Sequence, residues 1–468
     1  MQGSVEAGIA RFLGIPYAAA PFGAHRFQAP APVPAWEGVR DALEFGATAP
    51  KGPFNPPLDR LLPEPVIEGD DCLNLNIWTP DLDNGGGRPV MVWIHGGSLK
   101  NGSNAANIYD GQSFARDGVV LVSINYRLGV EGFAVFPDAP SNRGLLDQIA
   151  ALRWVRDNIA AEGGDPNNVT VFGQSAGAIC VAALLASPYA EGLFRRAIIQ
   201  SGPPMAVSPK KGAQITEVIA KALKIPATAK AFAAADRGEL LSAQIAATSK
   251  GNPLFGGAGF QIVVDGDVVR HDPMTALRQG VAARDIDLLV GYNRDEYRLW
   301  FVPNGLVDRI NALALRLALM KFRISGRIAK SYRRRYPEAK PGQILGRIAG
   351  DMLIRVPALR LDDSRTSQSK TFMYEFAWST AVERLGACHA LELGFVFDTL
   401  DQAGSLALTG PNPPQELADA MHGAWVEFAR NGNPGWDAWN TSRPLMRFDL
   451  PVSTLAHISE DDEVNFWR

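Results

Sequence analysis

The sequence predicts an α/β fold, a mostly parallel central sheet flanked by helices, and three observations carry that expectation. From about residue 70 to 205, short runs rich in Val, Ile and aromatic residues alternate with helical patterns, the order expected of parallel strands joined by crossover helices. Strand-like runs return at Asp287 to Gly291 and Thr371 to Phe376, after long helical stretches. The 468 residues are 46% hydrophobic, enough for a large core, so 1–468 reads as a single elaborated domain.

The first strands are expected at Leu73 to Thr79, Val90 to His95, Val119 to Asn125, Val169 to Phe172 and Ala197 to Gln200. Each is short and apolar, as a strand covered on both faces should be. Between the third and fourth, Leu145, Ile149, Leu152, Val155 and Ile159 step by three or four while Arg153, Arg156 and Asp157 point away, the pattern of a crossover helix. Residues 206–283 and 300–368 read as mainly helical insertions forming a cap or regulatory region over the carboxyl edge of the sheet, where α/β enzymes bind ligands. Gly251-Asn252-Pro253 breaks the first of them. The Pro/Gly-rich stretches near 50 to 65 and 410 to 435 read as surface loops.

Charge is balanced, 46 basic against 49 acidic residues, and the longest basic cluster, Arg333-Arg334-Arg335, continues a helix-like stretch and reads as a solvated helix face. Nucleic acid is not an expected partner. No apolar run is long enough to span a bilayer, and the N-terminus lacks the basic start and apolar stretch of a secretory signal. The expected location is cytoplasmic, although a mature secreted chain would look the same. Cys72, Cys180 and Cys388 are too few and scattered for a disulfide framework or a zinc site. They read as free thiols, and no metal or cofactor is expected; a monomer or weak homo-oligomer is.

Gly173-Gln174-Ser175-Ala176-Gly177 lies between an expected strand and an expected helix. That is the context of a nucleophile elbow, where a serine sits on a strained turn whose neighbours two residues away must be small. After the strand Val90 to Ile94 comes His95-Gly96-Gly97-Ser98, similar to the glycine loop that donates backbone N–H groups to a developing oxyanion. The N–H of Ala176 would complete that hole. Together the two motifs predict the α/β-hydrolase fold, in which an acid and then a histidine follow the serine along the chain. Among the later histidines, His271 precedes an apparent helix start at Asp272-Pro273, His422 lies in a helical run and His457 in the C-terminal tail. His389, in the loop after Thr371 to Phe376, is the expected base. The acid should leave the strand Asp287 to Val290, where the pattern alone leaves Asp295 and Glu296 open.

With these residues in place the chain resembles the type-B carboxylesterases, the family of bacterial para-nitrobenzyl esterases and the cholinesterases. The likeness is densest from Arg11 to Gly202, through Phe12-Leu13-Gly14-Ile15-Pro16-Tyr17-Ala18, Asp71-Cys72-Leu73-Asn74-Leu75-Asn76-Ile77, Asn125-Tyr126-Arg127-Leu128-Gly129, Gly144-Leu145-Leu146-Asp147-Gln148 and Gln200-Ser201-Gly202. It resumes at Gly291 to Glu296 and at His389 to Phe397. The resemblance implies a Ser175–Glu296–His389 triad, oxyanion donors at Gly97, Ser98 and Ala176, and a supporting role for Ser201 beside the acid or base. It implies two-step hydrolysis of small neutral esters. Ser98 departs from the family by replacing a glycine, Leu99 by replacing a phenylalanine, and Tyr297 by replacing the glycine after the acid. No tryptophan lies between Arg60 and Cys72, where cholinesterases place their choline-binding ring, which disfavours a quaternary-ammonium substrate. Two other readings remain: a catalytically silent adhesion module, and an amidase or carbamate hydrolase on the same scaffold.

Overall fold

A computed structural model describes residues 1–80, 87–249, 259–365 and 369–467. Its strands are β1 (Ser4–Glu6), β2 (Ile9–Pro16), β3 (Asn74–Thr79), β4 (Arg88–Ile94), β5 (Val120–Ile124), β6 (Gly164–Gln174), β7 (Arg196–Gln200), β8 (Asp287–Asn293), β9 (Thr371–Phe376), β10 (Pro444–Phe448) and β11 (Thr454–His457). They form one eleven-stranded sheet in the order β1-β2-β3-β5-β4-β6-β7-β8-β9-β10-β11. From β5 to β10 every pairing is parallel, and the outer pairings are antiparallel.

The alternation of side chains explains why these runs are strands. Val90, Val92 and Ile94 enter the core on one face, and Met91 and Trp93 enter the core on the other. Both faces are therefore covered, as parallel strands require. The helix Arg143–Asn158 covers the first face with Leu145, Ile149, Leu152 and Val155, and it carries the chain from β5 over β4 to β6.

The second face is covered by a helix that grows from the expected helical run around His422 across most of a stretch read as loop. Gln415–Asn431 packs Met421, Trp425 and Phe428 against the sheet, so 410 to 435 is not a surface loop. Apart from Gly423, which lies inside the helix, its Pro and Gly residues stand outside it: Pro414 precedes the first turn, and Gly432 closes the last at φ 77°, where such residues punctuate a helix. The 50 to 65 segment is irregular but not merely superficial, since it contributes Phe54, Leu58 and Glu64 to the wall of the main cavity. Four outer strands go beyond the expected set: the edges β1 and β11 are exposed or half-buried throughout, β2 carries Arg11 and Gly14 among its apolar residues, and β10 opens on a proline.

Within 206–283 the helices are Pro209–Leu223, Ala229–Ala234, Arg237–Thr248 and Pro273–Arg278. Within 300–368 they include Leu306–Arg309, Ala312–Lys321, Gly326–Arg335, Pro341–Gly350 and Val356–Ser364. Gly251-Asn252-Pro253 lies outside the described residues. Arg333, Arg334 and Arg335 end the helix Gly326–Arg335 and are exposed. Among the described residues no helix is long and apolar enough to cross a membrane.

Candidate active site

Ser175 sits where β6 meets the helix Ala176–Leu185, with φ 57° and ψ −122°. A side chain held there costs about 1–3 kcal/mol of backbone strain, and the surroundings enforce it. A Cβ on Gly177 would stand 2.0 Å from the Ile94 carbonyl oxygen, and one on Gly173 only 2.7 Å from the Gly177 carbonyl carbon. The Ser175 N–H is tied to Gln200 O at 2.9 Å.

The second turn leaves the tip of β4. Gly97 adopts φ 113°, and a Cβ there would meet Asn101 O at 2.2 Å, so the turn is folded tightly onto itself. Ser98 and Leu99 follow at φ 56° and 58°. Buried His95 stacks on Tyr126 and donates Nδ1–H to Gly96 O at 2.8 Å. Burial lowers its pKa to about 3, so it is a neutral structural support for the turn. On the outer side Glu64 accepts from Asn101 Nδ2 at 2.9 Å and from the Gly102 N–H. Among the described residues the N–H groups of Gly97, Ser98 and Ala176 have no protein acceptor. That of Ala176 opens a helix, where the unpaired N–H groups carry the positive end of the helix dipole.

The expected base and acid follow neighbouring strands. His389 follows β9, and its Nδ1–H donates to Glu296 Oε2 at 2.5 Å, while Glu296 Oε1 accepts from the Asn293 N–H at 2.8 Å. Asp295 is engaged elsewhere: Arg298 and Arg347 each pair with it at 3.3 Å. Glu296 is thus the carboxylate joined to the histidine. Tyr297 fits without opening this loop, because its ring lies where any side chain at position 346 would be, and Gly346 has none. Ser175, Ala176, Gly97, Ser98 and His389 line one cavity of about 880 Å³. Both helical segments contribute to its wall, through Lys211, Leu306 and Phe322 among others.

Ser201 does not make its expected contact. Its Oγ is buried with no hydrogen-bond partner, and it bonds to neither Glu296 nor His389. Its place is set by the main chain, which has φ 52° and donates N–H to Gly291 O at 2.9 Å. The other histidines are structural: His271 precedes the Asp272 cap of the helix Pro273–Arg278, His422 Nδ1 donates to Val396 O, and His457 Nδ1 donates to Ser442 O.

Several residues at the site carry no sequence signal. Gln174, the unspecified second position of the serine motif, places Nε2 at 3.1 Å from His389 Nε2. Since His389 Nδ1 holds the proton given to Glu296, Nε2 accepts from that amide. Were Ser175 to act as nucleophile, Nε2 would exchange this bond for one from the serine hydroxyl, a tightening expected only with substrate bound. Trp300 covers the imidazole at 4.6 Å between ring centres. Behind the pair lies a second buried carboxyl, Glu392, which accepts from Asn293 Nδ2 at 2.6 Å and Gln200 Nε2 at 3.3 Å. Burial, reinforced by the charge of Glu296, raises its pKa to about 7. The tell-tale for Glu392 is its spacing of three from His389, which pattern reading had no reason to weigh.

Comparison with known proteins agrees with this geometry. The profile of the Carboxylesterase family matches residues 1–467. The para-nitrobenzyl esterase of Bacillus subtilis (strain 168) is 37% identical over 99% of this chain and 95% of its own length. The phenmedipham hydrolase of Pseudarthrobacter oxydans is 35% identical over 95% and 91%. The crystal structure of a Geobacillus stearothermophilus carboxylesterase at pH 6.2 superposes with TM-score 0.87 at 37% identity, covering 100% of this chain and 98% of that one. With the sheet, the serine turn and the glycine turn in their places, this chain belongs to the carboxylesterase family and is a carboxylic ester hydrolase of the α/β-hydrolase fold.

Proposed function

We propose that the enzyme hydrolyses small neutral carboxylic esters by two-step acyl transfer. His389 takes the Ser175 hydroxyl proton as Oγ attacks the ester carbonyl, and Glu296 fixes the imidazole tautomer and stabilises its cation. The N–H groups of Gly97, Ser98 and Ala176 stabilise the oxyanion. The alcohol leaves with the proton from His389, and water repeats the sequence on the acyl-enzyme. The single observation that carries this reading is the 2.5 Å bond between His389 and Glu296 beside a strained serine opening on the same cavity. The helices of 206–283 and 300–368 act as a cap on one elaborated domain. Three buried free cysteines fit a reducing, cytoplasmic setting.

Labelling with a fluorophosphonate, followed by turnover of a para-nitrophenyl ester against the matching anilide, tests the proposal. Labelling at Ser175 with ester turnover far above anilide turnover is expected. A protein that takes no label is a silent module, and comparable anilide turnover makes it an amidase.

A further inference from the structure

From Arg309 to Pro337 the chain holds nine Lys or Arg residues and no Asp or Glu, although its overall charge is −3. All nine are exposed, and none makes an ion pair among the described residues. The basic triplet Arg333-Arg334-Arg335 is therefore one end of a longer cationic stretch of chain, within which Arg316 and Lys321 lie on the helix Ala312–Lys321 itself. The rest of the molecule is correspondingly acidic.

The same stretch leaves apolar surface in water. The helix Ala312–Lys321 buries Leu315 and Leu319 in a small core with Tyr297 and Ile344. Its Leu313, Leu317 and Met320 are 64%, 54% and 58% exposed. Spaced by four and then three, they form one stripe along the helix. Single exposed apolar residues are ordinary, but an aligned stripe bordered by cations marks a contact surface. A helix apolar on both its buried and its outer side belongs in a protein interior or against lipid.

We propose that this face docks on a lipid surface carrying anionic headgroups, with Leu313, Leu317 and Met320 entering the headgroup region and the surrounding cations engaging the phosphates. A helix lying in the plane of the interface meets this need without spanning the bilayer. A second copy of the chain is a poor cover, because a two-fold contact brings each copy's cations against the other's. A nucleic acid offers nothing to the apolar stripe. Docking also has a use. Leu306 and Arg309 on one side of the helix and Phe322 on the other line the active-site cavity, so its mouth would meet esters dissolved in the interface. That consequence rests on the esterase reading; the docking itself does not.

Vesicle co-sedimentation of the full chain is the test. Binding is expected to vesicles of phosphatidylcholine with added phosphatidylglycerol, not to phosphatidylcholine alone, and to weaken as salt screens the charges. Leu313→Gln/Leu317→Gln/Met320→Gln and, separately, Arg333→Gln/Arg334→Gln/Arg335→Gln should each weaken partitioning at least ~10-fold, with melting curves confirming that these exposed substitutions leave the fold intact. Absence of binding to the anionic vesicles, or equal binding to both kinds, overturns the proposal. So does a concentration-dependent dimer that the apolar triple variant abolishes, which would make a second copy the cover. Fluorophosphonate labelling without lipid is scored separately: vesicle binding by a protein that takes no label sinks the esterase reading and leaves the docking surface standing.

Discussion

The tips of the sheet and the helical wall that faces them share one cavity but are built on opposite terms. At the tips, position is imposed by main chain: Gly97, Gly173 and Gly177 have no room for a Cβ, and Ser175 is held at positive φ between β6 and its helix. In the wall, contributed by the segments 206–283 and 300–368, the cavity is lined by side chains such as Lys211, Leu306 and Phe322. The lesson is that chemistry and selectivity are separable here. Changes at the tips should act on turnover of every ester, and changes facing the wall on which ester is turned over.

The sharpest break in that contrast comes from the nucleophile. Ser175→Ala should lower kcat on the order of 10⁶-fold with the melting curve preserved, because the members of a triad act as a unit. Retained turnover of a para-nitrophenyl ester would move the chemistry away from the elbow.

Next in size, Glu296→Gln should reduce kcat on the order of 10⁴-fold, since the amide no longer enforces the Nδ1–H tautomer of His389. The neighbouring Asp295→Asn should do the reverse, leaving kcat nearly intact while lowering Tm, because it leaves Arg298 and Arg347 without their shared carboxylate. Steady-state kinetics and melting of both variants check this. If Asp295→Asn is the greater kinetic lesion, the base is oriented by another group.

Ser98 stands at the border of the two regions, with a backbone N–H directed to the chemistry and a side chain in the cavity. Ser98→Gly should raise kcat/KM for a tertiary-alcohol acetate relative to a primary one roughly tenfold, because the donor is main chain and survives while the crowding side chain goes. An equal fall for both acetates would make the Ser98 hydroxyl an oxyanion donor in its own right.

The smallest effect concerns stability. Glu392 has a folded pKa raised from 4.5 to about 7, so between those values the folded protein binds a proton that the unfolded chain has released. Stability contributed by the neutral carboxyl is present at the acid end of this window and is lost as pH rises through it. Glu392→Gln should flatten the fall of Tm between about pH 4.5 and 7, read by thermal melting across that range. An unchanged slope would assign the pH dependence to other groups.

What could be read from residues alone follows the same division. The parallel strands were legible because burial on both faces writes continuous apolar runs, and the serine and glycine turns because their backbones tolerate few side chains. The extent of the helix Gln415–Asn431 was hidden by the prolines and glycines that flank it, although the run around His422 was legible, and the edge strands β1 and β11 by their weak patterning. Asp295 and Glu296, adjacent and alike, could be separated by family resemblance but not by pattern. In the fold they differ by their partners, arginines for one and an imidazole for the other.

The sequence by itself determined the α/β architecture and the turns at Ser175 and at Gly96-Gly97, because each of these is a local demand on residue size or periodicity. Only the tertiary structure decided that Gln174 occupies the imidazole Nε2, that Glu392 lies buried behind the pair, that Ser201 bonds to neither partner, and that an apolar stripe stays exposed within a basic stretch of chain. These are meetings of side chains from separate elements, and the distances that govern hydrogen bonding, desolvation and charge are fixed by packing, which no local pattern records.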